Sequence, residues 1–185
     1  MALRTRADAV RNYERVVAAA AEVLAEKGAE AGIPEIAARA GVGKGTVYRC
    51  FETKEHLVAA VVAERVRAFG EAVAAANRRE DAWEAFTDLL EDSAARHSAD
   101  CMFAEGLGHA SGLPALVEAK AVLFADLDAL MGRAKAQGRM RDDVDSGDVR
   151  VLFAGMARML RADGDRDPQT WRRYARLVAN AFRAG

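Results

Sequence analysis

A short basic stretch carries the residue types with the clearest chemistry. Lys44, Thr46, Tyr48 and Arg49 place an ammonium, a hydroxyl, a phenol and a guanidinium within six residues. All four can donate hydrogen bonds to oxygen acceptors, and two carry a positive charge. No acid interrupts Ile36 to Phe51, while Arg39, Lys44 and Arg49 fall inside it. A donor-rich, acid-free segment suits a polyanion, and an α-helix bearing it fits the major groove of DNA. Enzyme signatures are missing: the chain has no glycine-rich phosphate loop, no G-x-S-x-G elbow and no H-E-x-x-H. The expectation is a binding protein and not an enzyme.

A second set could hold a metal. His97, Cys101, Glu105 and His109 recur every four residues, and on one unbroken helix they would share a face. Ser98, Gly106 and Gly108 argue that the helix breaks, and structural zinc sites use closer paired spacing. The expectation is therefore no metal and no cofactor, with these residues in a polar pocket or an exposed loop. Cys50 is a lone thiol, which acts as a redox sensor only in an activating environment.

The basic residues need a rigid mount, and the stretch IPEIAARAGVGKGTVYRCFETK (Ile33–Lys54) supplies one. Ile36, Ala37 and Ala40 form one apolar face of a short helix, and Pro34 suits its first turn. Gly41 falls where the chain must turn, a place for positive φ. Val42 can fill the angle between helices, and Gly43 can cap the next one, more weakly than Ser or Thr. Val47 and Phe51, four apart, would anchor that second helix on the core. Its other face then carries Lys44, Thr46, Tyr48 and Arg49. The same pattern also fits an ordinary helical hairpin with a solvated basic face. The turn glycine, small Ala37 and paired apolar anchors together favour the helix-turn-helix.

At these residues the chain resembles the DNA-binding domain of the TetR family of bacterial transcriptional regulators. RVVAAAAEVLAEKG (Arg15–Gly28) and IPEIAARAGVGKGTVYRCFETKEHLVAAV (Ile33–Val61) carry the likeness. Its most specific part is the run Gly41, Gly45, Thr46, Tyr48, Phe51, Lys54, Glu55 and Leu57. The resemblance covers roughly a third of the chain. It implies that Thr46, Tyr48 and Lys54 contact phosphates, and that Lys44, Gly45 and Arg49 approach bases or nearby backbone. Three positions depart from the family pattern. Gly32 stands where a capping Thr or Ser is usual, Gly43 replaces a common Ser, and Cys50 stands where His or Tyr is frequent. Arg4, Arg6 and Arg11 would compensate as a basic N-terminal arm.

Charge sets a limit on affinity. Residues 1–60 hold nine Lys and Arg against eight acids, a net of +1, within a chain of net −1. Non-specific DNA binding should be modest, and a localised positive stripe on a dimer fits better than a polybasic coat. The 185 residues are 51% hydrophobic and 30% charged, with three prolines. Such values favour an all-α globule over disorder or an all-β fold. No apolar run reaches the ~18 residues of a membrane span, and no signal-peptide pattern opens the chain. Cys50 and Cys101 do not make a disulfide framework. A cytoplasmic location follows as the expectation.

Hydrophobic periodicity predicts about nine helices in two domains. The resemblance implies that residues 1–55 are the helix-turn-helix domain and 56–185 an effector-binding and dimerisation domain. The first helix runs from about Ala9 to Lys27, with Tyr13, Val16, Val17, Ala20, Val23 and Leu24 inward. After the motif pair, a connecting helix covers about Lys54–Ala76 and can act as a lever. Further helices are expected over Asp81–Arg96, Leu113–Gln137, Asp148–Arg161 and Pro168–Phe182, with a short broken stretch near Asp100–Leu107. In the middle helices Trp83, Phe86, Leu90, Met102, Phe103, Leu107, Leu123, Phe124 and Leu127 are candidates to line a pocket for a small apolar ligand. For any one of them plain core is the competing reading.

The last two helices are expected at a dimer interface through Leu152, Phe153, Met156, Trp171, Tyr174 and Val178. Many TetR-like proteins dimerise through a four-helix bundle of this kind, and aromatic anchors suit interfaces. The alternative places the aromatics inside one subunit. The resemblance thus implies a homodimeric repressor of a palindromic operator, released by a small-molecule effector. Two other classes compete: an architectural DNA-binding protein without effector, and a helical small-molecule-binding scaffold that no longer binds DNA. The sizeable body after residue 75 argues against the first, and the intact Lys44–Tyr48–Lys54 set against the second.

Overall fold

The computed structural model describes the backbone of residues 2–100 and 114–185, and side chains of 8–28, 30–100 and 117–185. Among them the chain is all-α, with eight α-helices and one isolated bridge between Met140 and Arg183. The helices are α1 (Ala2–Lys27), α2 (Ile33–Ala40), α3 (Lys44–Cys50), α4 (Lys54–Asn77), α5 (Ala82–Ser98), α6 (Pro114–Ala136), α7 (Ser146–Ala162) and α8 (Pro168–Asn180). Among the described residues no helix is long and apolar enough to cross a membrane. Of the expected Asp100–Leu107 stretch, all but Asp100 lies outside the described residues.

The first unit holds Met1–Glu64 and Asp100–Leu116. Its core draws Val16, Ala20, Val23 and Leu24 from α1, Ile36, Ala37 and Ala40 from α2, and Val47 from α3. Phe51, just after α3, and Leu57 and Val61 of α4 close it. Tyr13 was expected on the buried face of α1. It is exposed instead, but its ring lies 4.9 Å from that of Phe51. α1 also begins well before the expected Ala9, so Arg4 and Arg6 sit on its first turns. The arm expected there is helical backbone, and the side chains of Arg4 and Arg6 lie outside the described residues. Arg11 forms an ion pair with Asp8, one turn away.

The second unit holds Arg65–Ala99 and Val117–Gly185. α5 packs along α8, and α7 packs on both. Polar contacts fix the pairs: Arg176 grips Glu91 with two bonds of 2.6 and 2.7 Å, and Arg172 reaches Asp92 at 2.6 Å. Asp145 caps α7 by a reciprocal bond with Asp148, and Asp167 caps α8 ahead of Pro168. Gly138, with φ of 68°, ends the turn after α6, one residue past the expected end at Gln137. Arg133 of α6 donates to the carbonyls of Asn77 and Arg79, at 2.6 and 2.5 Å, and satisfies the end of α4.

Candidate nucleic-acid interface

The turn between α2 and α3 is built as its glycines require. Gly41 has φ of 65° and ψ of 37°, the left-handed conformation that side chains resist. Val42 N–H donates to Ala37 O at 3.0 Å and Gly41 N–H to Ala38 O at 3.1 Å. This paired closure satisfies the last carbonyls of α2. Gly43 is extended and its carbonyl accepts from Thr46 N–H at 2.9 Å, which starts α3. The side chain of Arg15 lies over this turn, its Nη2 only 2.8 Å from where a Cβ on Gly41 would stand.

α3 is held by one edge and open on the other. Val47 is fully buried and Cys50 half-buried, while Lys44, Gly45, Tyr48 and Arg49 are exposed. Tyr48 is 54% exposed, so its ring and phenol face solvent. Thr46 is half-buried, and its Oγ1 accepts from Arg49 Nη2 at 2.8 Å. Gly45 stands on the open side of α3. A Cβ built on it meets nothing within 4 Å, so no internal packing requires glycine there. Glycine inside a helix costs about 0.5–1 kcal/mol relative to Ala. Gly70, Gly132 and Gly155, in α4, α6 and α7, are equally open, so this space does not by itself mark a contact with a partner.

Lys54 is half-buried in the first turn of α4. Its neighbour Thr53 was missed in the sequence reading. Thr53 Oγ1 accepts from His56 N–H at 3.2 Å and Thr53 O accepts from Leu57 N–H at 3.3 Å, an N-cap for α4. The signal was there: a Thr directly before a helical run. Arg39, counted among the cations of the motif, is instead bonded to Glu22 and Glu26 of α1. Lys44, Thr46, Tyr48 and Arg49 thus share α3, with Lys54 opening the next helix.

The other predicted residues fall in the second unit. Trp83, Phe86, Leu90, Leu123 and Leu127 are buried and Phe124 is half-buried. Phe86 packs its ring 6.0 Å from Trp83 and 5.9 Å from Phe182. Met102, Phe103 and Leu107 lie outside the described residues. Of the residues expected at the dimer interface, Leu152 and Tyr174 are exposed, and Phe153, Met156 and Val178 half-buried. Trp171 is a correction. It is 0% exposed, and its Nε1 donates to Asp165 O at 3.2 Å beneath the guanidinium of Arg161. It therefore belongs to the core of its own unit. Val151, Met159 and Leu177, outside the set expected at the interface, are exposed on α7 and α8.

His97 is buried, with Ser93 Oγ 3.3 Å from its Nδ1 and Phe153 edge-on at 5.8 Å. Burial pushes its imidazole down to about 3, helped by the charges of Arg161, Arg96 and Arg65. Cys101, Glu105 and His109 lie outside the described residues.

Residues 16–61 match the model for bacterial regulatory proteins of the tetR family. Over 189 aligned residues the chain is 26% identical to the HTH-type transcriptional regulator SrpR of Pseudomonas putida, covering 98% of this chain and 88% of that one. A TetR transcription regulatory protein of Mycobacterium vanbaalenii has a solved structure 32% identical in sequence, with a TM-score of 0.65, over 97% of this chain and 99% of that one. A TetR transcriptional regulator of Streptomyces coelicolor is 29% identical with a TM-score of 0.68, over 93% and 98% of the two chains. The matched segment contains the whole α2–turn–α3 arrangement, and the wider likeness extends through the helical body. The chain belongs to the TetR family of bacterial transcriptional regulators.

Proposed function

We propose that this regulator is a homodimeric repressor that holds a palindromic operator through α3 and releases it when a small, mainly apolar ligand binds the body of residues 56–185. The observation that carries the reading is α3, buried by Val47 and open through Lys44, Gly45, Tyr48 and Arg49. Thr46, Tyr48 and Lys54 take phosphates and fix the register. Lys44 and Arg49 reach base edges, and Gly45 lets the backbone come close. Arg4 and Arg6 add phosphate contacts from the first turns of α1.

Two copies are needed to read a palindrome, and α7 and α8 offer the means. Val151, Leu152, Met159, Tyr174 and Leu177 leave apolar surface uncovered on two helices that pack together. A second copy burying that face gives a four-helix contact, with half-burial of Phe153, Met156 and Val178 completed there. Trp171 supports this face from beneath. Ligand binding among Trp83, Phe86, Leu90, Leu123, Phe124 and Leu127 works through differential affinity for two states of the dimer. α4 starts in the DNA-binding unit and ends in the body, so it is the element through which the states differ. A tenfold loss of operator affinity needs only ~1.4 kcal/mol of coupling. The location of such a regulator is the cytoplasm, where its DNA is.

Footprinting on the DNA flanking the gene tests the reading. Two protected half-sites centred about 10 base pairs apart, or a multiple of that turn, are expected. Protection without paired half-sites, spreading evenly along the fragment, contradicts it.

A further inference from the structure

Arg39 lies in the acid-free basic stretch beside Lys44 and Arg49, where it would be counted as a cation for DNA. Its guanidinium is turned to α1 instead. Nη1 and Nη2 donate to the two carboxylate oxygens of Glu26, both at 3.0 Å, and Nη1 also donates to Glu22 Oε2 at 3.1 Å. The two-pronged geometry is the strong form of such a pair and fixes direction as well as distance. It holds the Glu26 carboxyl below the usual carboxylate range and pushes the Arg39 guanidinium further up. One guanidinium between two carboxylates leaves a net negative patch, which repels phosphate. Lys27 and Glu35 bridge the same two helices a second time, at 2.7 Å.

The orientation of α2 matters because α3 follows it after only Gly41, Val42 and Gly43. Val47 packs into the same cluster as Ile36 and Ala37. How α2 lies on α1 therefore sets where Lys44, Tyr48 and Arg49 point. We propose that Arg39 is a positioning residue for DNA recognition: with Glu22 and Glu26 it locks α2 onto α1, and through the glycine turn it aims α3, without touching phosphate itself.

The test uses the full chain and a labelled duplex of the DNA flanking its gene, titrated by fluorescence anisotropy over a series of salt concentrations. It rests on α3 as the DNA reader; a wild-type chain that binds no duplex defeats that reading and leaves this one without an object to position. Arg39→Ala is expected to weaken binding about threefold to tenfold, with the slope of log affinity against log salt unchanged, since no phosphate contact is lost. Glu22→Gln with Glu26→Gln is expected to weaken binding over the same range, although it makes the domain more positive. Exchanging the charges, Glu26→Arg with Arg39→Glu, restores most of the affinity. A slope shallower by about 0.9 in Arg39→Ala marks a direct phosphate contact and overturns the proposal. Unchanged or tighter binding in the double glutamine variant overturns it as well. Thermal unfolding of each variant identifies any that have lost their fold, and the charge exchange then decides.

Discussion

Tyr48 and Arg49 stand side by side on α3 but do different work in this account. Tyr48→Phe removes one hydroxyl from an exposed ring that touches little else. The expected result is an even loss of affinity across DNA sequences, about tenfold, the worth of a hydrogen bond to a charged oxygen. Arg49→Ala should instead reshape sequence preference at one position in each half-site, by about 1–3 kcal/mol of discrimination. Competition binding against single-base variants of the operator separates the two, and an unchanged preference in Arg49→Ala removes its base-reading role. Gly45→Ala offers a sharper contrast. Open space around Gly45 lets the methyl fit the free protein and raise helix stability by about 0.5–1 kcal/mol. The melting temperature should rise while operator affinity falls, the trade-off expected where function claims a residue. If both rise together, no partner needs the glycine. The exposed face of α3 that carries them was legible in the chain because residue type and spacing sufficed. The fate of Arg39 was not, because Glu22 and Glu26 lie 17 and 13 residues away and only packing brings them to it.

Among the helices, those with strong punctuation were the most readable. Gly41 and Gly43 set the motif turn, Gly138 ended α6, and Pro168 opened α8, each at or next to the expected place. The start of α1 was not readable, since residues 2–8 carry no apolar periodicity to reveal a helix. Trp171 was misplaced for a related reason. An aromatic on an amphipathic helix looks the same from sequence whether it anchors an interface or a core. The buried side of α5 gives a prediction of its own. His97 takes up a proton in the unfolded chain near pH 6.5 but in the folded chain only near about 3. Between those values the unfolded state binds more protons, so stability falls as the pH drops from about 6.5 toward 3. His97→Gln keeps a polar partner for Ser93 and removes the titration. Denaturant unfolding across this window should show the stability of the natural protein falling relative to the variant, by up to about 1.4 kcal/mol per pH unit. Parallel curves would mean that His97 is not held neutral by burial.

For the molecule as a whole, the claim is that symmetry and DNA reading depend on each other. Leu177 is 53% exposed and Met159 62% exposed, so replacing either with a charge should leave the subunit folded. Leu177→Glu is expected to give monomers by sedimentation and to lower operator affinity by about tenfold or more, on the order of 1.4 kcal/mol, because one half-site alone remains. A variant that stays dimeric shifts the interface elsewhere. The exposed face of α7 and α8 was only half-legible: Val151, Met159 and Leu177 could not be told from buried neighbours by period alone. The most direct measurement is a fluorescence-anisotropy titration of the purified protein against DNA flanking its own gene and against scrambled DNA of the same length and salt. Saturable, preferential binding to the flanking DNA at two chains per site is the expected result. Equal, weak and salt-sensitive binding to both, at no fixed stoichiometry, would contradict it.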